Sequence, residues 1–393
     1  MKNFKILRLL VFTTFLIFAS CTKDDTNQPV FSTEIGENFV NIENAKNIAS
    51  KIEFPTDKSL LVKKSKFKDI ENITEIIAED GLPSFYIINY KEESFIIISA
   101  DNRVNPILAY SDSKNFKIDK VEEYPEGLQE WLVTKKKYIQ NVRTLNNKQT
   151  EEVLYAWKTE QIISLILPPD EGEDPPSGGS DVGEDEGCEN TYYIVNPLLQ
   201  TTWGQLGVYN DLAPNLGCIG DGKALTGCVA TAMAQIMKYN EFPTTYNWAN
   251  MPNEEGTIDT ALLMRDIGDA VNMIWGCYES GAYMYNVIPA FKNDFGYSDY
   301  ISDAYFDSEI VKIQLGRGNP VLLYGEQEQG GGHAWVCDGY RRTIFCETGA
   351  VYLLLHMNWG WDNDYNAWYD FNNWSPGPYD FNTNRGMIYN IIP

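Results

Sequence analysis

Histidine is scarce in this chain, with only two among 393 residues. His333 and His356 lie far apart, so they form no His-x-x-x-His zinc motif and cannot supply a three-histidine metal site. We therefore expect no bound metal. Any mechanism that uses an imidazole must depend on one of these two side chains.

Positive charge is also scarce. The chain carries 31 lysines and arginines against 55 aspartates and glutamates, for a net charge of −24. Beyond the first 21 residues no segment is basic. Because binding to nucleic acid or to anionic lipid needs clustered lysine and arginine, we expect no nucleic-acid partner and no basic membrane-docking surface.

Long apolar runs are absent beyond the N-terminus, where none approaches the ~18 residues of a membrane-spanning helix. Residues 1–21 join a basic start, a short apolar stretch and the ending Phe-Ala-Ser-Cys, which is typical of a bacterial lipoprotein signal. We expect Cys21 to be lipidated and the chain to be exported to the outer membrane, with the cell surface left open. The lipid would then be the only membrane contact. An ordinary signal peptide is the alternative.

Seven cysteines are present, and six remain if Cys21 is lipidated. No Cys-x-x-Cys spacing among them indicates a metal site or a disulfide framework. If one of the six is a nucleophile, an odd number is left, so at least one more thiol should be unpaired. The pairing stays open among the others, which are Cys188, Cys218, Cys277, Cys337 and Cys346.

A low-complexity segment divides the chain. Residues 168–189 consist almost entirely of Pro, Gly, Ser, Asp and Glu, without a basic residue. Such a stretch buries too little apolar area to order itself, and exposed linkers are where proteases cut. We therefore predict a linker between two folded blocks, at 22–167 and 190–393.

The first block mixes helix and strand. Apolar spacing predicts helices at 42–52 and within 127–147. Two β-rich runs, at 84–90 and 95–99, predict a hairpin. The block has no histidine and no nucleophile–base pair, so we do not expect it to be the catalyst.

A cysteine opens the clearest helix of the second block. Residues 226–239 (TGCVATAMAQIMKY) show helical apolar spacing, with Cys228 in the first turn. Backbone N–H groups at a helix start stabilise a thiolate and lower the pKa of the thiol. The alternative is a buried, inert cysteine.

Two further segments supply a candidate base and its partner. Three glycines precede His333, which suggests an exposed, mobile general base at the start of a strand. In a hairpin, Asn358 on the next strand can face His333 and fix its tautomer, with Trp359 shielding that bond. His356 is the rival base. Upstream, the amide of Gln205 can donate to an oxyanion.

In this order, these residues resemble the streptopain family of papain-like cysteine peptidases. The resemblance covers most of 195–361, in the stretches TTWGQLGVYN (201–210), TGCVATAMAQIMKYNEFP (226–243), GGHAWVCDGY (331–340) and HMNWGW (356–361). Residues 86–112 of the first block resemble the family's propeptide, which is related to the Spi inhibitor.

The resemblance implies an α+β fold, in which a helical part carries the cysteine and an antiparallel sheet carries the histidine and asparagine. After the signal predicted at 1–21, it implies an inhibitory propeptide at 22–167 and a peptidase domain at 190–393. The implied activity is that of an endopeptidase made as a zymogen, acting on proteins or peptides without a cofactor. The implied site is Cys228 as nucleophile, His333 as base, Asn358 and Trp359 beside it, and Gln205 in the oxyanion hole.

Two other functions stay open. The chain could be a catalytically idle relative that acts as an adhesin or protease inhibitor, or a carbohydrate-active protein that uses paired carboxylates. The papain signature Cys-Gly-Ser-Cys-Trp is absent. Residues 362–385 also lack the glycine-rich loop of streptopain, which leaves the substrate preference open.

Overall fold

A computed structural model describes residues 36–55, 65–118, 126–158, 190–326, 332–345, 351–370 and 385–393. The predicted signal with Cys21, the predicted linker at 168–189, Cys188 and Cys346 lie outside the described residues. From Asn38 onward the chain forms one compact unit. None of the described helices is long and apolar enough to cross a membrane.

The first sequence block folds as predicted where its patterns are local. Helix α1 begins after Asn41, whose side chain accepts a hydrogen bond from the N–H of Asn44. The expected hairpin and the second helix are confirmed. In chain order the elements are α1 (Ile42–Ala49), β1 (Glu53–Pro55), β2 (Ser65–Phe67), β3 (Ile70–Ile77), β4 (Pro83–Tyr90), β5 (Ser94–Ser99), β6 (Ile107–Ser111), α2 (Glu126–Thr144) and α3 (Glu151–Ala156).

The second block places its longest helices before its long strands. Short helical turns lie at Gly207–Asn210, Trp248–Asn250, Met284–Asn286, Val287–Pro289 and Ala290–Asp294. The other elements are β7 (Thr191–Val195), β8 (Asn215–Cys218), β9 (Gly222–Lys223), α4 (Cys228–Asn240), α5 (Ile258–Ala270), β10 (Ser302–Tyr305), α6 (Ser308–Gly316), β11 (Val321–Glu326), β12 (Gly332–Ile344), β13 (Val351–Asn358), β14 (Ala367–Asp370) and β15 (Gly386–Tyr389).

One antiparallel sheet runs through both blocks. Its order is β10-β15-β11-β12-β13-β14-β6-β5-β4-β3, with β7 also paired to β12. The two blocks meet where β14 pairs with β6, with Trp368 opposite Tyr110 and Tyr369 opposite Ala109. The blocks therefore share backbone hydrogen bonds as well as side-chain packing.

The two faces of the sheet carry different helices, because successive strand residues point to opposite sides. Ala334 and Val336 of β12 share a core with helix α4. Trp335 and Cys337, on the other face, share a core with helix α2. Strand β12 thus lies between the helix that begins at Cys228 and a helix of the first block.

Candidate active site

Cys228 is the first residue of helix α4, and its side chain is a thiol that is 9% exposed. The preceding Gly227 has a φ of +88°. A Cβ there would lie 2.6 Å from the carbonyl oxygen of Ser280, so only glycine fits this turn. The predicted position at a helix start is confirmed, and the helix dipole at that end favours a thiolate.

The turn before Cys228 is held by two neighbouring segments. The N–H of Leu225 donates to the carbonyl of Gly276 at 3.1 Å, and the N–H of Thr226 donates to the carbonyl of Gln205 at 3.2 Å. The second bond brings the backbone of the expected oxyanion residue beside the turn of the expected nucleophile.

A disulfide ties together two loops of this region. Cys218, at the end of β8, bonds to Cys277, which directly follows the Gly276 that contacts the Cys228 turn. This is one pairing that the sequence had left open. Cys337 is a buried thiol, in agreement with the expectation of a further unpaired cysteine.

His333 lies near the start of β12, on the strand face that also bears Trp335. Its Nε2 lies 3.1 Å from the main-chain carbonyl oxygen of Trp359. A carbonyl only accepts, so Nε2 donates, and Nδ1 of the neutral ring is left as the proton acceptor.

The expectation of an exposed, mobile His333 was wrong. The residue is only 5% exposed, and the indoles that surround it belong to Trp335, Trp359 and Trp361. Burial lowers the pKa of His333 to about 4, although the bond to the Trp359 carbonyl opposes this shift. The ring is therefore neutral at pH 7 in the full chain.

The expected contact between Asn358 and His333 was also wrong. In the β12–β13 ladder Asn358 lies opposite Val336, and His333 is an odd number of positions from Val336. The two side chains therefore point to opposite faces of the sheet. The backbone carbonyl of Trp359 takes the place that we had expected for the Asn358 side chain.

Asn358 instead contacts helix α4. Its Oδ1 accepts from Nε2 of Gln235 at 3.1 Å, and its Nδ2 donates to the carbonyl of Thr201 at 2.8 Å. Sequence reasoning missed Gln235. Its signal was a polar residue among apolar ones in the helix that begins at Cys228.

Trp359 is held at several points. Its N–H donates to Oδ1 of Asn366 at 2.9 Å, and its indole Nε1 donates to Oη of Tyr369 at 3.3 Å. Trp359 is 1% exposed, and its ring lies 6.3 Å from that of His333 between centroids. We had expected it to shield a bond between His333 and Asn358, and these two side chains form no such bond. Asn366 and Tyr369 were not predicted, because they lie beyond the motif and reach Trp359 only through the β13–β14 hairpin.

His356, the rival base, is occupied elsewhere. Its Nδ1 lies 2.6 Å from Oδ1 of the buried Asp338, and its ring packs edge-on against Trp368. The other carboxylate oxygen of Asp338 accepts from the N–H of Leu199 at 3.1 Å. These contacts give His356 a structural role.

The first block reaches the aromatic residues next to His333. Trp131 of helix α2 packs edge-on against Tyr369 at 5.0 Å between ring centroids, and Tyr369 packs in the same way against Trp359 at 5.5 Å. Lys135 of the same helix pairs with Asp370 at 3.2 Å, with side chains only 4% and 2% exposed. The first block therefore covers the sheet face on which His333 lies.

A thiol at the start of a buried helix, packed against a sheet that carries an oriented imidazole, is the arrangement of a papain-like cysteine peptidase. The comparisons with known proteins agree. The model of the peptidase C10 family matches residues 203–245 and 244–369, and that of the Spi protease inhibitor matches residues 37–140.

Individual relatives point to the same family. The chain is 26% identical over 333 residues to the thiol protease/hemagglutinin PrtT of Porphyromonas gingivalis, and covers 34% of that protein. It is 24% identical to streptopain of Streptococcus pyogenes over 323 residues, which are 71% of each chain. A fragment of Prevotella intermedia prointerpain A is similar in structure, with a TM-score of 0.56 and 25% identity over 81% of this chain and 97% of that one.

The chain belongs to the peptidase C10 (streptopain) family and carries the Spi-type propeptide domain. It is a cysteine protease made as a zymogen, with a papain-like α+β fold. The chain spans about a third of the length of PrtT. The hemagglutinin function in its name therefore applies to PrtT and is not assigned to this chain.

Proposed function

We propose that this protein is an endopeptidase in which Cys228 is the nucleophile and His333 the general base and acid. Nδ1 of His333 takes the thiol proton, and the sulfur attacks the peptide carbonyl carbon. The protonated imidazole then gives its proton to the leaving amine, which yields a thioester. Water hydrolyses the thioester and regenerates the thiol.

The observation that carries this proposal is the bond from Nε2 of His333 to the Trp359 carbonyl. It assigns the tautomer, and so leaves Nδ1 as the basic atom. Ala334, the residue after His333, shares a core with Cys228, and α4 packs against β12. The base is thus on the strand that the nucleophile's helix contacts.

The oxyanion of the tetrahedral intermediate would be stabilised by the Cys228 N–H and the Gln205 side chain. The bond between Thr226 and Gln205 supports this role, because it fixes the Gln205 backbone beside the Cys228 turn. Gln205 is half-buried, so its amide remains within reach of a bound substrate.

The proposed propeptide, residues 22–167, would keep the enzyme latent until a cut within 168–189. The pairing of β6 with β14 and the buried pair of Lys135 with Asp370 support an inhibitor that folds onto the catalytic half. Release of the propeptide would separate β6 from β14 and remove helix α2 from the sheet.

We also propose that the chain is exported and is anchored in the outer membrane by a lipid on Cys21. The support is the signal-like sequence of residues 1–21. Metabolic labelling with a fatty-acid analogue tests it: label in the full chain and none in Cys21→Ala is expected. Label in both chains would contradict the proposal.

Active-site labelling tests the catalytic proposal. A peptide carrying a mild thiol-reactive group should modify Cys228 in the matured enzyme, and the modification should be lost in His333→Ala. The buried thiol of Cys337 is the internal control and should stay unmodified. Equal labelling of both cysteines, or undiminished labelling in His333→Ala, would contradict the proposal and favour an idle relative.

A further inference from the structure

The strongest unassigned feature of the site is a pair of buried amides. Gln235 lies two turns after Cys228 in helix α4, on the same side of the helix, and is fully buried. Its Oε1 accepts from the N–H of Trp203 at 3.3 Å, and its Nε2 donates to Oδ1 of Asn358 at 3.1 Å. Both ends of this side chain therefore contact segments that carry proposed site residues.

Asn358 completes the network. Its Oδ1 also accepts from the N–H of Gly360 at 3.2 Å, and its Nδ2 donates to the carbonyl of Thr201. Rotating this amide by half a turn would set its NH₂ against two N–H donors. The hydrogen-bond partners thus fix one orientation of the Asn358 side chain.

The network joins three parts of the proposed site. Trp203 and Thr201 precede Gln205, Gln235 belongs to the Cys228 helix, and Asn358 and Gly360 flank Trp359. Because the Trp359 carbonyl accepts from His333, fixing its two neighbours fixes the position of that acceptor.

The backbone at Gly360 also presses directly on the nucleophile helix. A Cβ at Gly360, whose φ is +73°, would lie 2.9 Å from Cγ2 of Thr231, in the first turn of α4. The backbone at Gly360 therefore packs against Thr231 with no side chain between them. A small displacement of Trp359 would therefore change the distance between the imidazole and the thiol.

We infer that Gln235 and Asn358 are a pair of positioning residues that set His333 relative to Cys228 without touching either reacting atom. The inference rests on the proposed roles of Cys228 and His333. It gives Asn358 a function different from the one that the sequence suggested, since Asn358 acts on the carbonyl that holds His333.

The test measures kcat, KM and Cys228 alkylation in Gln235→Ala and Asn358→Ala. Each full-length variant is matured with immobilised wild-type enzyme, which is then filtered off. We expect kcat to fall about 100-fold and KM to change less than about threefold. The reason is that moving a catalytic group by about 1 Å can slow a reaction about 100-fold. The double variant should be no worse than the single ones, since the two residues act as a unit.

The rate at which iodoacetamide alkylates Cys228 at each pH measures how much of the side chain is thiolate. In the matured wild type the rate should persist at acidic pH, because transfer of the thiol proton of Cys228 to Nδ1 of His333 yields an imidazolium that stabilises the thiolate. In both variants the pH profile should move towards that of an unperturbed thiol, with a pKa of ~8.5. Asn358→Asp keeps the acceptor oxygen for Gln235 and Gly360, so it should recover part of kcat.

The chain provides a matched control in Gln314, a glutamine of helix α6 that is 3% exposed and whose Nε2 donates to Oδ1 of Asn390 at 2.7 Å. Gln314→Ala should lower Tm to a similar extent and leave kcat and the alkylation profile unchanged. If Gln235→Ala does not fold, Asn358→Asp and Gln235→Met take its place.

A wild-type kcat and alkylation profile in the variants of Gln235 and Asn358 would overturn the inference. An equal loss of kcat in Gln314→Ala would also overturn it. If, in the same experiment, Cys228→Ala and His333→Ala lose activity, the inference on Gln235 and Asn358 fails but the proposed function stands. Full activity in Cys228→Ala would instead remove the proposed function itself.

Discussion

Nε2 of His333 and the main-chain oxygen of Trp359 lie 3.1 Å apart and form the hydrogen bond that orients the imidazole. The acceptor belongs to the backbone, so the orientation of His333 depends on where the β13–β14 turn lies and not on one side chain. That turn is held by Asn366, by Tyr369 and by the amide of Asn358. The site is therefore organised by the strand connections around Trp359.

The two histidines should differ sharply when replaced. His333→Ala should lower kcat at least 1,000-fold, because the thiol loses its base. His356→Ala should keep most activity and lower the free energy of unfolding by about 1–3 kcal/mol, since the buried Asp338 loses a partner. Kinetics and urea unfolding of both variants make the comparison. A His356→Ala variant that is stable but inactive would indicate that His356, and not His333, is the general base.

The pH dependence of stability should carry the signature of a buried neutral histidine. The pKa of His333 is about 4 in the folded chain against an ordinary value of 6.5, so the unfolded chain binds more protons between these values. The lowered pKa of His333 therefore makes the free energy of unfolding depend on pH. The stability is full above pH 6.5 and falls by about 3 kcal/mol as the pH drops towards 4. Unfolding of Cys228→Ala between pH 7 and pH 4.5 measures it.

A direct readout comes from histidine nitrogen NMR on the same protein, which has only two histidines to assign. At pH 6 the ring of His333 should be neutral and protonated at Nε2. His333→Gln in this background should have a flatter stability profile. A doubly protonated His333 at pH 6, or parallel stability profiles, would refute this assignment.

Two ion pairs between the first block and the catalytic half should differ in strength. Lys135 and Asp370 are almost fully buried, whereas the side chains of Lys117 and Asp364 are 60% and 32% exposed. Lys135→Met removes the cation that pairs with the buried carboxylate of Asp370 and should lower the free energy of unfolding of the full chain by about 3 kcal/mol. Lys117→Met should cost under about 1 kcal/mol.

The same comparison has a functional readout. Since helix α2 holds the propeptide on the sheet, Lys135→Met should speed self-processing while Lys117→Met leaves it near the wild-type rate. The appearance of the mature band against time measures both. Equal rates in the two variants would show that the buried pair does not hold the propeptide in place.

Local patterns in the sequence predicted much of the fold. Apolar spacing located α2 and α4, and β-rich runs located β4 and β5. Each of these signals lies within one element and its own turn, so no distant residue was needed to interpret it. The start of α4 at Cys228 was predictable for the same reason.

The pairings of distant strands were not predictable. Nothing in the sequence near Trp368 indicates that β14 pairs with β6, more than 250 residues earlier. The face on which His333 lies depends on the β12–β13 register, which shifts between Cys337 and Gly339. A displacement of one residue exchanges the faces of a strand, so the partner of Asn358 could not be read from its motif.

The burial of His333 also depends on distant residues. Three adjacent glycines suggested an open site, but one indole from β12 and two from the turn after β13 surround the ring. Trp131 and Tyr369 extend this aromatic group into the first block. The sequence located the histidine, and the assembled sheet determined its environment.

The central claim is that Cys228 cleaves peptide bonds, including the one that releases its own propeptide. Purified residues 22–393 and the matched Cys228→Ala chain are incubated with a reducing agent, and the intact mass of each is followed. We expect the wild type alone to lose the mass of the segment that precedes a cut within 168–189, while Cys228→Ala keeps the mass of the intact chain. Processing of both chains at the same rate, or of neither, would contradict it.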